Sequence, residues 1–178
     1  MFCIGICQNK PDFLSRLISA AVVECGFSVF YFEGKEISIP KDCQKAVAIV
    51  AVPLPYDSDI EFDLCVYEPE FCRNSDSLSS KLAIIPDSCK TQQFNGIKNI
   101  ITYGLCRKNT VTVSSLIADD LVISVQREFP TLDGTTVDSQ EFHVTLKSID
   151  DVEDALALTT TLLALGVSPE TITNLSKS

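Results

Sequence analysis

The first 32 residues contain a strand-like apolar run, a segment with helical periodicity and a second strand-like run, an order that few folds accommodate. A continuous apolar run, FCIGIC (2–7), precedes a segment whose apolar residues recur at helical spacing (13–25), and a β-rich run, SVFYF (28–32), follows it. Pro11 favours a helix start shortly after it, and Gly26 favours the helix end. A strand, a helix and a strand in this order predict a β-α-β unit with two parallel strands.

Five further apolar runs predict strands between this unit and the middle of the chain. They are AVAIVAV (46–52), FDLCVY (62–67), LAIIP (82–86), NIITY (99–103) and TVTVSS (110–115). Most of them are continuous rather than alternating, which is typical of strands covered on both faces. The sequence therefore predicts an α/β protein with three layers and a mostly parallel sheet.

The pattern changes near residue 119. Two alternating segments, LVISVQREF (121–129) and EFHVTLK (141–147), predict a small antiparallel hairpin. A helix is expected to follow, with Asp150 as its N-cap and Gly166 at its end, and a short last helix after it. We expect one domain over residues 1–178, with a parallel core in 1–118 and the hairpin and terminal helices in 119–178.

Charge and hydropathy exclude several classes of partner. The net charge is −10, which repels nucleic-acid backbones and anionic lipid. The longest apolar run, 46–54, is shorter than a membrane span, and the chain opens without the pattern of a secretory leader. The expectation is a cytoplasmic, acidic protein that contacts neither nucleic acid nor membrane.

Eight cysteines are present, but their positions argue against a disulfide framework. Cys3, Cys7 and Cys65 lie in strand-like runs and Cys25 lies at a helix end, where a free cysteine usually serves as a small buried apolar residue. No CxxC pair occurs, and one histidine cannot complete the usual structural zinc patterns. The sequence predicts inert thiols in a reducing compartment.

Three segments carry a family resemblance. They are NIITYGL (99–105), the hairpin segments 121–129 and 141–146, and DVEDALALTTTLLALGVSPETI (151–172). In this order they resemble the central, ATP-binding domain of the Mur ligases and the related folylpolyglutamate synthases. The resemblance implies a P-loop-like α/β fold, ATP-dependent amide-bond formation, and a bacterial cell-wall or folate context.

The phosphate loop is where the chain departs from that family. The family loop is rich in glycine and ends in Gly-Lys-Thr or Gly-Lys-Ser, whereas this chain has the shorter stretch GICQNKP (5–11). Lys10 stands near the position of the family lysine, but Pro11 occupies the position of the metal-binding hydroxyl and removes one N–H donor. The resemblance therefore implies a degenerate loop, in which Gly5, Asn9 and Lys10 are the remaining candidates for phosphate contact.

Other family positions give one candidate metal ligand and no catalytic residue. Glu68 follows a strand as the magnesium-linked glutamate of the family does, although a solvated acid at a strand end fits equally well. Ser88 stands where the family has a histidine, and the single histidine, His143, lies in the hairpin.

Three functions remain open from the sequence. The first is a non-catalytic domain that binds a protein partner or a small molecule, or associates with itself. The second is a protein that retains ATP and Mg²⁺ through Lys10 and Glu68. The third is a thiol-dependent enzyme that uses Cys7, which lies just before a helix N-terminus, a position that can lower a thiol pKa.

Overall fold

The computed structural model describes residues 1–8, 13–32, 46–52, 61–69, 71, 78–94, 96–117, 120–145 and 151–175. Within these ranges, nine strands form one sheet and two short strands form another. The strands are β1 Phe2–Cys7, β2 Ser28–Phe32, β3 Ala46–Val52, β4 Phe62–Tyr67, β5 Ser80–Pro86, β6 Asn99–Tyr103, β7 Val111–Ile117, β8 Asp120–Val125, β9 Phe129–Pro130, β10 Thr136–Val137 and β11 Gln140–Thr145. The helices are α1 Phe13–Glu24, α2 Val152–Ala164 and α3 Pro169–Leu175, with a 3₁₀ turn at Thr91–Phe94.

The main sheet has the strand order β11-β8-β7-β6-β5-β4-β1-β3-β2. All neighbours from β6 to β2 run parallel, which confirms the mostly parallel α/β prediction. The predicted strand at 110–115 behaves differently, because β7 is paired with β6 at Tyr103 and Val111 alone. Along its length β7 pairs with β8 in antiparallel fashion, so the antiparallel part of the sheet begins one strand earlier than the sequence predicts.

The antiparallel hairpin is confirmed, with β8 and β11 paired from Val125 and Gln140 to Asp120 and Thr145. The segment between them forms the separate β9–β10 sheet. The predicted N-cap of α2 is wrong by one residue. Asp151 is the cap, because its extended backbone (φ −121°, ψ 129°) lets its side chain accept a hydrogen bond from the Glu153 N–H.

Helices α1 and α2 lie on one face of the sheet and cover the larger of two apolar cores. A smaller core lies on the other face and contains Cys7, Cys65, Tyr67 and Phe94 among others. Helix α3 packs against β11, where the Thr173 hydroxyl donates to the His143 carbonyl at 2.7 Å. The side chain of His143 is exposed, as expected for a histidine on a surface strand.

The prediction of free thiols at Cys3, Cys7, Cys25 and Cys65 is confirmed. The described free thiols are those of Cys3, Cys7, Cys25, Cys65 and Cys106. Cys89 is disulfide-bonded. It lies in the turn after β5, away from the strand runs on which the free-thiol prediction depended. Among the helices in the described ranges, none combines the length and hydropathy needed to span a bilayer.

Candidate functional site

The carboxyl edge of the parallel strands contains Glu68, the candidate metal ligand, and the end of β1, which leads into the candidate phosphate loop. The chain leaves β1 toward β2 on one side and later returns to β4 on the other side, so β1 and β4 are neighbours at a topological switch point. Open α/β sheets bind their ligands outside the carboxyl ends of strands at such a point. Gln8 follows β1 here, Glu68 follows β4 and Asp87 follows β5.

Gln8 is attached to the first turn of α1 by two hydrogen bonds. Its side-chain oxygen accepts from the backbone N–H of Ser15 at 2.9 Å, and its side-chain nitrogen donates to the Ser15 hydroxyl at 3.0 Å. The Ser15 N–H is one of the donors that a helix leaves without an intrahelical partner. In phosphate-binding helices such donors face the anion. Here the side-chain amide of Gln8 occupies the position that the anion has in such helices.

Gly5 lies inside β1, between Val50 of β3 and Cys65 of β4. A Cβ at this position would lie 3.1 Å from the Phe62 ring and 3.3 Å from Cys65 Sγ. The glycine therefore permits close packing of β1 against β4. Its role in phosphate binding stays a prediction, and Asn9 and Lys10 lie outside the described residues.

Glu68 is 4% exposed. Its backbone N–H donates to the Cys7 carbonyl at 2.9 Å, and its own carbonyl accepts from the Phe71 N–H at 3.1 Å. The first bond extends the pairing of β1 and β4 by one residue and the second closes a turn after β4, so the carboxyl group starts from a fixed backbone. Its predicted role as a metal ligand stays a prediction.

Four carboxylates lie near enough to Tyr103 to affect the pKa of its hydroxyl. Tyr103 is fully buried and donates to the Tyr67 carbonyl at 2.8 Å. Burial raises the pKa of Tyr103, and the nearby negative charges raise it further. Those charges belong to Glu153, Asp154, Glu68 and Asp87. Burial, followed by Asp151, Asp87 and Asp154, also raises the pKa of Glu153.

The donor set for a metal ion is incomplete in what the structure describes. Within those ranges, no three His, Cys, Asp or Glu side chains are arranged to hold an ion. The Ser15 hydroxyl, which is the hydroxyl near the start of α1, accepts a hydrogen bond from Gln8. At the start of α1, this hydroxyl is thus already in contact with the Gln8 side chain.

Asp87 organises the loop between β6 and β7, a role that the sequence analysis missed. Its Oδ2 accepts from the Asn109 side chain at 3.1 Å and from the Cys106 N–H at 3.3 Å. Its backbone N–H donates to the Tyr103 carbonyl at 2.8 Å. The residues that meet here are the pairs PD (86–87) and YG (103–104). They are far apart in the chain, so the sequence alone does not show that they are in contact.

Cys7 does not have the properties of a nucleophile. The side chain is fully buried at the end of β1. Burial raises the pKa of its thiol well above the usual value, and a hydrogen bond with Cys65 adds to the effect. The prediction that a helix N-terminus lowers the pKa of the Cys7 thiol is therefore wrong, because the thiol lies in the core rather than at the helix end.

Comparisons with solved structures identify the fold. No protein-family model matches the sequence, and no curated protein matches it. The chain is similar to a UDP-N-acetylmuramoylalanyl-D-glutamyl-2,6-diaminopimelate–D-alanyl-D-alanyl ligase from Acinetobacter baumannii, with 14% identity, a TM-score of 0.62, and coverage of 100% of this chain and 46% of the ligase.

Two other ligases give similar values. E. coli FolC, in complex with DHPP and ADP, has 13% identity and a TM-score of 0.61 over 99% of this chain and 56% of FolC. The murein peptide ligase Mpl from Psychrobacter arcticus has 10% identity and a TM-score of 0.60 over 99% of this chain and 46% of Mpl. The chain spans about half the length of the ligases it matches. It has the Mur ligase-like fold that the sequence resemblance implies.

Proposed function

We propose that this chain is a non-catalytic relative of the ligases' nucleotide-binding domain and acts as a binding module for another protein. The observation that carries the proposal is the pair of hydrogen bonds between Gln8 and Ser15. A nucleotide phosphate at the start of α1 would have to displace this glutamine. Displacement would cost about 1 kcal/mol or more for the bonds lost.

The charge at the carboxyl edge supports the same proposal. Glu68, Asp87, Glu153 and Asp154 all lie close enough to affect Tyr103. A polyphosphate brought to this edge would meet four carboxylates, in a protein whose net charge is −10. Binding would then require cations, and the described residues include no group of three ligands for one.

Exposed apolar side chains support a protein partner at this edge. Six large hydrophobic side chains are exposed in the described ranges, and four of them follow or end strands that point to the carboxyl edge. We call these four the carboxyl-edge surface: Phe13, Leu105, Leu116 and Ile117. Ile117 is 74% exposed at the end of β7, which extends past the last residue of β6. Leu116 and Ile117 are neighbours in β7, and exposed apolar side chains beside one another are typical of protein interfaces.

Thermal unfolding with and without millimolar Mg-ATP and Mg-ADP tests the loss of nucleotide binding, because a ligand of the native state must raise the midpoint. We expect no shift. Gln8→Gly, which releases the Ser15 N–H, is the matched variant, and a shift seen only there would support the blocking role of Gln8. A saturable shift of the unmodified protein that Lys10→Ala removes would overturn the proposal.

Light scattering tests the binding surface. If the module binds a second copy of itself, the protein will be an oligomer. The double variant Leu116→Ser with Ile117→Ser should then be a monomer. Val23→Ser, at the opposite end of α1 and 54% exposed, is the control. An oligomer unaffected by the β7 substitutions would exclude this surface from self-association. A monomer would require the partner to be a different protein.

A residual nucleotide-binding protein is the second candidate function. It is favoured by the position of Glu68 at the switch point and by the similarity to FolC, whose structure contains ADP. The thermal experiment separates the two candidates, since a retained site predicts a midpoint that rises with nucleotide concentration and falls back in Glu68→Gln.

A further inference from the structure

A cavity of about 480 Å³ lies at the amino edge of the sheet, opposite to the carboxyl edge. It is bordered by the start of β1, the start of β3, the end of α1 and the turn between α2 and α3. Its volume is in the range of small-molecule sites. Apolar side chains form much of its wall, and they include Phe2, Phe27, Leu165 and Val167.

Asp133 is the one charged side chain among the described residues that line this cavity. It lies in the turn between β9 and β10, and the turn is attached to the last residue of α2 by a hydrogen bond from the Leu132 N–H to the Ala164 carbonyl at 2.8 Å. The hydrogen bond to α2 therefore holds the turn, and with it the carboxylate of Asp133, next to the cavity.

The two oxygens of Asp133 have different surroundings. Oδ1 accepts from the Thr131 hydroxyl at 2.5 Å, from the Thr135 hydroxyl at 2.8 Å and from the Thr135 N–H at 3.1 Å. These are the hydrogen bonds that the carboxylate makes to other described residues, and all of them use Oδ1. The same bonds lower the pKa of Asp133, so the carboxylate is ionised at neutral pH.

The second oxygen, Oδ2, faces the turn between α2 and α3. A Cβ at residue 166 would lie 2.7 Å from it, and Gly166 has φ +81°. Glycine at this position thus allows both the turn and the close approach of the carboxylate. The result is an exposed carboxylate held beside an apolar cavity, with Oδ2 next to Gly166 and outside the hydrogen bonds to Thr131 and Thr135.

We propose that this cavity binds a small organic cation, namely a primary ammonium attached to an apolar group, with the ammonium at Asp133 Oδ2 and the apolar group against Phe27 and Leu165. Charge complementarity favours this class of ligand, because an anion would be repelled and a neutral compound would form no charge-assisted hydrogen bond with the exposed carboxylate. A charge-assisted hydrogen bond from the ammonium would orient the ligand. The site lies at the opposite edge of the sheet from Gln8 and does not depend on the proposed loss of nucleotide binding.

Titration of the ¹⁵N-labelled protein with 2-phenylethylamine, followed by NMR, tests the proposal. The expected result is a saturable shift of the backbone signals of residues 131–135 and 165–168 at millimolar amine. 2-Phenylethanol, which has the same apolar group without the charge, should bind about tenfold more weakly or not at all. Asp133→Asn keeps an oxygen for the threonine donors, removes the charge, and should weaken amine binding by about the same factor.

Two further variants keep the test decisive. Cys25→Phe places a larger side chain in the cavity while leaving Asp133 intact, and it should abolish amine binding even if Asp133→Asn fails to fold. Asp138→Asn, on the same hairpin beside a smaller neighbouring cavity, should leave amine binding unchanged. Absence of saturable shifts, equal binding of the alcohol, or unchanged binding in Cys25→Phe would overturn the proposal.

Discussion

The carboxylate of Asp87 lies against the Cα of Gly104, where any side chain would collide with it. Gly104 has φ +143°, a backbone conformation that L side chains rarely adopt. The two residues come from the ends of β5 and β6, which are adjacent parallel strands. Their contact fixes the loop that leads from β6 into β7.

Gly104→Ala should therefore destabilise the protein by about 1–3 kcal/mol, because it combines backbone strain with a collision. Denaturant unfolding measures the effect. The matched control is Gly96→Ala, since Gly96 also has a positive φ, +113°, but nothing lies within 4 Å of its would-be Cβ. The control should lose less stability than Gly104→Ala. Equal losses would mean that the contact with Asp87 contributes nothing.

Gly5→Ala should destabilise the protein through packing alone. The new methyl group would lie 3.1 Å from the Phe62 ring and 3.3 Å from Cys65 Sγ, closer than most such contacts. Overpacking of this kind costs about 1–3 kcal/mol, and denaturant unfolding measures it.

The double variant Gly5→Ala with Cys65→Ala tests the cause, because it removes the sulfur that the methyl group approaches. Its loss of stability should be smaller than the sum of the two single losses. Additive losses would show that Cys65 is not what limits the space at Gly5.

The parallel sheet could be predicted because most of its strands are continuous apolar runs, and such runs indicate burial on both faces. The placement of Glu68 at the carboxyl edge followed in the same way, since a residue just after a parallel strand must lie there. Both inferences depend on neighbouring residues in the sequence.

The contacts that define the two candidate sites could not be predicted in this way. Gln8 contacts Ser15 seven positions further along the chain, and Asp133 meets Gly166 across 33 positions, counting from 133 to 166. Such pairs depend on how the elements pack, and neither residue has a local pattern that identifies its partner. Cys89 belongs to the same class, because a disulfide depends on tertiary proximity.

Native-state alkylation should distinguish the exposed thiol from the buried ones. With iodoacetamide at neutral pH, Cys106 should react first, since it is exposed and lies in the loop after β6. Cys7 and Cys65 should remain unmodified until the protein unfolds, because they are fully buried and burial raises the pKa of Cys7. Peptide mass mapping measures the order, and rapid selective modification of Cys7 would revive the thiol-enzyme hypothesis.

Cys3 should make the folded state less stable at alkaline pH. Its thiol is half-buried, and burial, the Asp63 carboxylate and Cys65 raise its pKa from 9.0 to about 11. Because the folded state holds the proton more tightly than the unfolded state, the stabilisation is fully present below pH 9.0 and is lost as the pH rises through about 11. Denaturant midpoints from about pH 8 to about pH 11 measure the loss.

The comparison with variants isolates Cys3 from other groups that titrate in the same range. Cys3→Ser does not ionise there, so its midpoint should fall less steeply with pH than that of the unmodified protein. Asp63→Asn removes a nearby charge and lowers the folded-state pKa of Cys3, so the loss of stability should be smaller and should be complete at a lower pH. Cys106→Ser, at an exposed position, should leave the slope unchanged. If the midpoint of Cys3→Ser falls with pH as steeply as that of the unmodified protein, Cys3 binds the same number of protons in the folded and unfolded states. The alkaline sensitivity would then belong to another group.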